Sequence, residues 1–560
     1  MKPTALLILG VLNAAAVQAQ PSVAISAERI SNDVRSLSSD EFLGRGPGEP
    51  GEAKATAYLA EAFRKAGLQP AGENGTWFQD VPLVRLDRQP GATVWLSIDG
   101  KVEALQPGRD ATLTLLEPGH TALQNAPLVF AGWGIVDPAK GWDAYAGVDM
   151  TGKIAVVLTN DPDFEAGKDL GFEGTRMVYA GRVGAKFAAA AKAGAAGVLV
   201  IHEEAGASYP FSQLASGDAL PTMVIQPMQS NGLKFTSWIT LDVANRMLKS
   251  AKLELAKLKV RARDPKFRAF PIDGATFSAQ GELKATAFVS HNVLAKIAGT
   301  SRPQDVVLYG AHFDANGRNG PDASGDAIRN GAVDNATGTA EVLEIARAFK
   351  TAPPPARTVI FALWTAEEKG LLGSEFYAAH PLYPLAGTAA VINLDPHVVL
   401  PAARDIELIG GGRTSLEEDL ARVAKTQHLR VTAEPSPEAG WYFRSDHFSF
   451  ARRGVPALAF RAGRDLVDGG TAAGQRSVSA YNANCYHQPC DEFDPRWTFA
   501  GTVQEATVAY LLGNGVANSA GWPTWNLGNE YEALRRKTDD ERATRKGAGA
   551  PKARNGAAGN

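Results

Sequence analysis

The sequence predicts an α/β fold in which helices cover both faces of a mostly parallel, mixed sheet. Between about residues 275 and 522, short continuous apolar runs alternate with segments of helical periodicity. Strands that are apolar at every position are typical of a parallel sheet buried on both faces. The length of 560 residues exceeds one ordinary domain, so we also expect a second, smaller unit.

The first residues predict a signal peptide over residues 1–19. Lys2 gives a positive start, residues 5–17 are almost entirely apolar, and Val17 and Ala19 are the small residues that a signal peptidase reads. The apolar stretch is shorter than the ~20 residues that a membrane-spanning helix needs. We therefore expect an exported protein, periplasmic or extracellular, without a membrane span.

Composition narrows the range of partners. The chain is 45% apolar and 21% charged, which is ordinary for a globular enzyme. Its formal net charge of -3 gives no electrostatic reason to expect nucleic acid or an anionic membrane as a partner. The oligomeric state does not follow from the sequence.

The predicted elements of residues 20–124 form the N-terminal part of the main domain. Helical periodicity predicts helices over 27–37 and 52–66, with a turn-rich loop at 39–48 between them. Strands are expected at 93–96 and 111–116.

Residues 125–263 are predicted to form an inserted α/β domain. Buried strands are expected at 127–130, 153–158 and 195–201, with an alanine-rich helix at 186–192. Because this segment has no clustered histidine, aspartate and glutamate, we expect it to shape access to a neighbouring site.

Residues 264–525 are predicted to form the main part of the α/β domain, and residues 526–560 a disordered tail. The tail is rich in arginine, lysine, alanine and glycine and has no apolar period. In the main domain, four strands are expected at 292–297, 305–309, 358–363 and 389–393, and helices at 338–350 and 415–425.

Acidic residues and histidines follow three of these strands at their carboxyl ends. They are His312 after the second strand, Glu367 and Glu368 after the third, and Asp395 after the fourth. Asp334 lies in a glycine-flanked loop just before a helix. Ligands of open α/β sheets bind in the crevice beyond the carboxyl ends of the strands. The sequence therefore predicts one site at this edge of the sheet.

This mixture of side chains suits a pair of zinc ions. Imidazole and carboxylate are good zinc ligands, and one carboxylate can bridge two metals ~3.5–4 Å apart. Two metals that share an aspartate need about two further ligands each, a number supplied by His312, Asp395, Glu368 and His487. Because adjacent residues at a strand end point in different directions, one of Glu367 and Glu368 can bind metal while the other acts as a general base.

Two further features are expected to support the ligands. Asp314 is placed to accept the second ring N–H of His312. Cys485 and Cys490 flank His487 and can pair in an oxidising compartment, whereas in the cytosol this spacing suits metal ligands. We favour a local disulfide that rigidifies the loop carrying His487.

Taken in chain order, these segments resemble the M28 family of zinc peptidases. The motifs are GAHFD at 310–314, VDNATG at 333–338, EEKGLLGS at 367–374, NLD at 393–395, SDHF at 445–448 and YHQP at 486–489. The resemblance covers residues 27–522, and the insert is similar to the protease-associated (PA) domain found in many members. It implies the zinc-peptidase fold.

The resemblance also implies residue roles. Asp334 takes the bridging position, and Glu367 takes that of the general base. The remaining ligands are assigned as His312 and Asp395 to one zinc, and Glu368 and His487 to the other. Tyr442 lies near the stretch that in some members supplies a hydroxyl for the oxyanion. Many members have an acidic residue directly before the bridging aspartate, where this chain has Val333.

Asp446 and His447 are open to two interpretations. They can support the ligands from behind, or they can be a helix cap and a structural hydrogen bond.

The implied activity is hydrolysis of the N-terminal peptide bond of peptides with a free N-terminus. The same two-zinc site would also serve a carboxypeptidase or an amidase. A glutaminyl cyclase, which shares the fold but uses one zinc, is a third candidate activity. A non-catalytic, receptor-like binding protein is the candidate from a different functional class.

Overall fold

The computed structural model describes residues 25–547 apart from residues 219 and 397, and it describes only the backbone of residues 544–547. The predicted signal peptide therefore lies outside the described residues, as do residues 548–560 of the predicted tail. Within the described part, no helix combines the length and the apolar character that crossing a membrane requires.

The strands, in chain order, are β1 (Gln69–Pro70), β2 (Phe78–Arg88), β3 (Thr93–Ile98), β4 (Lys101–Leu105), β5 (Thr114–Leu115), β6 (Gly119–Phe130), β7 (Val136–Asp137), β8 (Trp142–Asp143), β9 (Ile154–Leu158), β10 (Gly197–Ile201), β11 (Thr222–Ile225), β12 (Phe235–Ile239), β13 (Phe270–Ile297), β14 (Arg302–His312), β15 (Gly317–Arg318), β16 (Ile328–Arg329), β17 (Arg357–Trp364), β18 (Thr388–Asn393), β19 (Asp405–Ile409), β20 (Arg430–Ala433) and β21 (Ala457–Ala462).

The α-helices are α1 (Ala27–Leu37), α2 (Pro50–Lys65), α3 (Val183–Lys192), α4 (Glu204–Ala207), α5 (Phe211–Gly217), α6 (Leu241–Ser250), α7 (Leu255–Ala262), α8 (Gly338–Thr351), α9 (Leu372–Ala379), α10 (Leu416–Thr426), α11 (His447–Ala451), α12 (Gly470–Asn484), α13 (Ala500–Asn518), α14 (Glu532–Arg536) and α15 (Asp539–Gly547). The helix predicted at 27–37 has the bounds of α1.

The main domain contains the predicted mostly parallel, mixed sheet. Its strands lie in the order β1, β13, β17, β14, β18, β21, β19, β20. The four central strands, β17, β14, β18 and β21, are mutually parallel, while β13 and β19 run antiparallel to their central neighbours. The predicted fold class is confirmed.

Hydrophobic cores cover both faces of this sheet. Along β14, Val307 and Tyr309 pack into a core with helices α1, α2, α8, α10 and α13, while Val306 and Leu308 pack into a second core with α9 and α11. Successive strand side chains point to opposite faces, so an all-apolar strand needs a helical layer on each side. This explains why the continuous apolar runs identified these strands.

The second domain has its own hydrophobic core, and this core extends beyond both ends of the predicted insert at residues 125–263. It includes Leu86, Leu96 and Leu115 before residue 125, and Phe277 and Leu283 after residue 263. The flanking strands β2, β3 and β13 alternate between buried and more exposed positions, so their sequence lacks the continuous apolar runs of the central strands. One strand, β13, contributes to the cores of both domains.

The prediction of a disordered tail from residue 526 is wrong for residues 526–547, which contain α14 and α15. Tyr531 is buried in the core that also holds Phe448. The Arg535 guanidinium donates to the carbonyl oxygen of Thr388 at 2.9 Å and lies 5.6 Å from the centre of the Trp522 ring. The anchors are Tyr531 and two buried arginines, Arg535 and Arg542, which a composition-based prediction does not distinguish from the residues of a solvated segment.

Candidate metal centre

The carboxyl ends of three adjacent parallel strands bring the candidate ligands together. β14 ends at His312, while Glu367 and Glu368 follow the end of β17, and Asp395 follows the end of β18. Asp334 lies in a turn of π-helical type, Ala332–Thr337, directly before α8. His487 follows α12. All five predicted ligands therefore lie at one edge of the sheet, as the sequence predicts.

The ligands form two groups that share Asp334. One group is His312, Asp334 and Asp395, and the other is Asp334, Glu368 and His487; within each group the potential ligand atoms lie within 4.8 Å of one another. His312 Nε2 lies 3.2 Å from Asp334 Oδ1, and His487 Nε2 lies 3.2 Å from Asp334 Oδ2. The two oxygens of one carboxylate thus face two different histidines.

The remaining ligand distances fit the same division. Nε2 of His312 lies 3.7 Å from Asp395 Oδ1, and Nε2 of His487 lies 3.1 Å from Glu368 Oε2. The exposed fraction of the His312 side chain is 1%, against 35% for His487. His312 is therefore almost completely enclosed, whereas His487 is partly open to solvent.

The electrostatics of the ligand cluster call for a cation. His312 Nδ1 lies 3.1 Å from the carbonyl oxygen of Asp314, so a proton on Nδ1 leaves the lone pair of Nε2 facing the carboxylates of Asp334 and Asp395. Burial acts to lower the pKa of His312, but the charge of Glu367 and the contacts with Asp314, Asp334 and Asp395 together outweigh it and hold that pKa well above its ordinary value. Imidazole and carboxylate donors that converge in this way fit divalent zinc.

Asp314 supports the site differently from the prediction. The His312 ring contacts its backbone carbonyl, and the Asp314 carboxylate lies farther away, with Oδ1 3.7 Å from Nδ1. The carboxylate instead accepts the backbone N–H of Glu367 at 3.0 Å and that of Glu368 at 3.4 Å. Asp314 therefore fixes both the histidine and the loop that carries the two glutamates.

Glu367 has the environment of a general base. Its side chain lines the cleft together with His312, Asp334 and Asp395, and its Oε2 lies 3.8 Å from His312 Nε2. Burial raises the pKa of Glu367 well above its ordinary value, and the charges of Asp446 and Asp395 add to this effect. A carboxylate that is both desolvated and near other carboxylates takes up a proton more readily than an exposed one.

Asp491 is a functional residue that the sequence analysis missed. Its carboxylate accepts the backbone N–H of Val333 at 2.9 Å and that of Asp334 at 3.1 Å, and it also accepts the hydroxyl of Tyr481 at 3.0 Å. Asp491 therefore holds the turn that presents Asp334. Its position just after the predicted Cys485–Cys490 loop was the only available signal.

A buried cation behind the ligands was also missed. Arg45 is fully buried, and its guanidinium donates to four backbone carbonyls, those of Leu37, Phe313, Asn330 and Gly331. Burial lowers the pKa of Arg45 to about 10, while the nearby carboxylates, Asp314 foremost, oppose this shift. Arg45 ties together the segments on either side of His312 and Asp334, and it lies in the loop that the sequence analysis treated as a simple turn.

Tyr442 does not lie where the resemblance implied. It is buried in the hydrophobic core, and its hydroxyl donates to the carbonyl oxygen of Ala457 at 3.5 Å. Its ring also packs against the ring of His447 at 4.7 Å. The tyrosines that line the cleft are Tyr481 and Tyr486. The role of Tyr442 is therefore corrected to packing.

His447 and Asp446 lie beside the cleft. His447 lines it, and burial lowers the pKa of this histidine to about 3, so its ring is neutral at ordinary pH. Burial raises the pKa of Asp446 to about 7, and its charge acts on Glu367. These positions leave a supporting role open for both residues.

A disulfide closes the loop that carries His487. Cys485 and Cys490 are bonded to each other, and the Tyr486 ring stacks on the His487 ring at 3.8 Å. The backbone of His487 has a φ of 59°, which a non-glycine residue adopts at a cost. The covalent closure and the stacked ring hold this histidine in its ligating position.

Comparisons with known proteins agree with this architecture. Residues 292–511 match the profile of peptidase family M28, and residues 124–232 match that of the PA domain. The aligned region of a probable lipoprotein aminopeptidase of Mycobacterium tuberculosis is 28% identical over 240 residues, 40% of this chain and 46% of that protein. Leupeptin-inactivating enzyme 1 of Streptomyces exfoliatus is 29% identical over 247 residues, 42% of this chain and 50% of that protein. The chain thus spans about half the length of these curated relatives.

Among solved structures, an aminopeptidase from Aneurinibacillus sp. strain AM-1 has a TM-score of 0.51 at 19% sequence identity. The alignment covers 89% of this chain and 95% of that one. At this identity the likeness supports the fold alone. The fold and the cluster of candidate ligands are those expected of an α/β metallopeptidase, and the family profile that matches residues 292–511 agrees with this class. Residues 292–511 belong to peptidase family M28, and residues 124–232 form a PA domain.

Proposed function

We propose that this protein is an exported aminopeptidase that uses two zinc ions to hydrolyse the N-terminal bond of peptides. The observation that carries the proposal is the position of Asp334 between two ligand groups. A single-zinc enzyme needs only one such group. The relative named as a probable lipoprotein aminopeptidase supports the choice of reaction.

His312 and Asp395 would hold one ion, Glu368 and His487 the other, and Asp334 would bridge them. The donor set fits zinc because each group offers one imidazole and two carboxylates. When bound, a zinc pair supplies Lewis acidity that polarises a carbonyl and lowers the pKa of water toward neutrality.

Glu367 is proposed to move the proton. Its carboxylate takes a proton from the attacking water and later passes it to the leaving amine. The raised pKa of Glu367 suits the first step, because a stronger base takes a proton from water more readily than an ordinary exposed carboxylate does. Asp314 keeps the glutamate in place through its backbone N–H.

Export is part of the same proposal. The Cys485–Cys490 disulfide supports it, since disulfides persist in oxidising compartments such as the periplasm and the extracellular space. The mature N-terminus, read by mass spectrometry of protein secreted from the native host, is expected at Gln20.

The test combines metal content with substrate selection. Atomic spectroscopy of the purified protein should give two zinc ions per chain, and a chelator should abolish turnover. Aminoacyl-p-nitroanilides with a free amine should be hydrolysed, whereas their N-acetyl forms should not. One zinc per chain would favour a cyclase, no zinc a binding protein, and hydrolysis of blocked substrates alone a carboxypeptidase or amidase.

A further inference from the structure

Two arginines lie where the PA domain meets the metal cleft. Arg444 lines the cleft together with Asp334 and Glu367. Arg182 belongs to the PA domain and directly precedes α3. The two are close enough for the charge of Arg444 to act on Arg182. Both side chains are half-buried.

Aromatic rings hold the Arg444 guanidinium in place. It lies 4.6 Å from the centre of the Trp441 ring and 5.6 Å from that of the Tyr209 ring. Tyr209 belongs to the PA domain, so the arginine is held between rings of both domains. Stacking orients the planar guanidinium while leaving its edge free to donate hydrogen bonds.

The charges of these arginines are not compensated within the described part of the chain. Neither Arg182 nor Arg444 forms an ion pair with a carboxylate of residues 25–547, and the buried Nε of Arg444 has no hydrogen-bond partner there. Burial, and after it the charge of Arg444, lower the pKa of Arg182 to about 10. Two half-buried cations close enough to act on each other are costly unless an anion joins them.

The surroundings indicate where such an anion comes from. The carboxylates of the candidate ligands attract cations, whereas the arginines attract anions. The cleft therefore carries negative charge at the ligand cluster and positive charge at Arg444. Hydrogen bonds between the PA domain and the main domain keep the two arginines in place. Arg176 donates to the carbonyl oxygen of Gly411 at 2.5 Å, and the backbone N–H of Met177 donates to the carbonyl oxygen of Pro437 at 3.1 Å. A peptide that carries both charges is complementary to this arrangement.

We propose that Arg182 and Arg444 form an anion-binding subsite of the metal cleft, which takes a carboxylate of the peptide substrate. The proposal rests on the proposed peptidase function and narrows its substrates to peptides with a carboxylate near the scissile bond. That carboxylate belongs either to an acidic N-terminal side chain or to the C-terminus of a very short peptide. Bidentate arginine contacts recognise both.

Paired substrates distinguish the two sources. Glutamyl- and glutaminyl-p-nitroanilide differ only in the charge of the side chain. Leu-Gly and Leu-Gly-amide differ only in the C-terminal charge. In the zinc-loaded wild type, kcat/KM should favour the charged member of at least one pair by about tenfold to a hundredfold, the range expected for a charge-assisted hydrogen bond.

Variants connect that preference with the arginines. Arg444→Gln and Arg182→Gln should each reduce the charged-to-neutral ratio of kcat/KM by about tenfold or more. Arg444→Lys, which keeps the charge but not the bidentate geometry, should restore part of the ratio. Arg476→Gln, at an exposed position of α12, is the control and should leave the ratio at the wild-type value.

A ratio near one for both pairs in the wild type, or a ratio that neither Gln variant changes, would overturn the subsite. Binding of N-acetylglutamate and N-acetylglutamine, measured by calorimetry, separates this result from a failure of the proposed function. If no peptide is hydrolysed but N-acetylglutamate binds more tightly, in a manner lost in Arg444→Gln, the subsite stands and the peptidase function falls. If peptides are hydrolysed but the charge of the substrate has no effect, the peptidase function stands and the subsite falls.

Discussion

The backbone of Asp334, the proposed bridging ligand, is held by the carboxylate of Asp491. Asp491 accepts the backbone N–H groups of Val333 and Asp334, and it is itself buried. Burial raises the pKa of Asp491 to about 7. Groups that orient metal ligands in this way commonly change metal affinity by 10- to 100-fold when they are mutated.

Asp491→Asn should therefore weaken zinc binding by about 10- to 100-fold, because the amide can accept at only one of its two terminal atoms. Competition with a fluorescent zinc chelator measures the affinity. Asp494→Asn is the matched control, since Asp494 pairs with exposed Arg496 outside the ligand cluster. Equal affinities for wild type and Asp491→Asn would show that the turn holds Asp334 unaided.

Glu367→Gln should retain the wild-type zinc content and lose about 10²- to 10⁴-fold in kcat, because the amide cannot take a proton from water. Its neighbour provides the comparison: Glu368→Gln should instead lower the zinc content, since Glu368 contacts His487 in the second ligand group. Zinc analysis and steady-state kinetics on the same preparations measure both effects. Full turnover by zinc-loaded Glu367→Gln would refute the assigned role.

Sequence reasoning identified the side chains that cluster at the sheet edge, but not the residues that hold them there. His312, Glu368 and Asp395 were identifiable because they follow apolar strands, whose carboxyl ends form sites in α/β sheets. Arg45 and Asp491 bind backbone groups distant in sequence, and a backbone contact leaves no pattern of side-chain types. For the same reason, the neighbourhood of Tyr442 in the sequence did not reveal that its hydroxyl points into the core.

At the scale of elements, helices α8 and α13 bring two glutamates together in the core. Glu341 and Glu505 are both buried, and neither carboxylate oxygen of Glu341 has a hydrogen-bond partner within the described residues. Glu505 accepts the backbone N–H of Ala462 at 2.7 Å. Burial raises the pKa of Glu505 from 4.5 to about 8, and burial together with the charge of Glu505 raises that of Glu341 well above its ordinary value.

These shifts predict how stability depends on pH. The folded protein keeps a proton on Glu505 that the unfolded chain releases near pH 4.5. The contribution of this group to stability is thus complete below pH 4.5 and declines as the pH rises to about 8, where the folded carboxyl ionises. The Gln side chain in Glu505→Gln cannot ionise and still accepts the N–H of Ala462. The Tm advantage of the variant should therefore grow from pH 5 to pH 8 and then level off.

Differential scanning calorimetry across this pH range checks the prediction. Glu418→Gln, at an exposed position of α10, is the control and should show no growing advantage. A constant difference between Glu505→Gln and wild type at every pH would mean that Glu505 is ionised in the folded protein throughout the range.

Elements were predicted best where burial is complete. The strand predicted at 389–393 agrees with β18, which is buried along its whole length. The helix predicted at 338–350 agrees with α8, which is buried over one broad face. The strand expected at 111–116 shrinks to β5, since its other residues bond to neighbours only through isolated contacts. The tail helices escaped detection because their few buried side chains include an arginine.

At the scale of the whole molecule, the PA domain contacts the main domain through an aromatic cluster beside the cleft. The Tyr179 ring lies 5.3 Å from that of Phe448 and 6.1 Å from that of Phe443. Gly440 lies directly against Met177, so a Cβ at this position would come within 2.6 Å of the methionine sulfur. The PA domain thus packs against the segment that carries the cleft residues Trp441 and Arg444.

Tyr179→Ala should weaken the contact between the PA domain and the main domain. Two aromatic contacts are lost, each worth ~0.5–1.5 kcal/mol beyond its buried area, so KM for peptides should rise about threefold to tenfold. The zinc content and kcat should change much less, because Tyr179 contacts no ligand. Tyr383→Ala, which removes a half-buried tyrosine packed against Lys296, is the control. A change in kcat alone would contradict a positioning role for the PA domain.

The strand β13 has a mechanical consequence for the two domains. It pairs with β3 and β6 in the second domain and with β17 in the main domain, and between these regions it pairs with β2 without interruption. Two domains joined by a loop can rotate about a hinge, but two domains that share a hydrogen-bonded ribbon behave as a continuous beam. Such a beam bends and twists along its length, and breaking it requires the loss of many ladder hydrogen bonds together. Access to the cleft therefore changes through its loops and side chains, while the distance between the domains stays nearly constant.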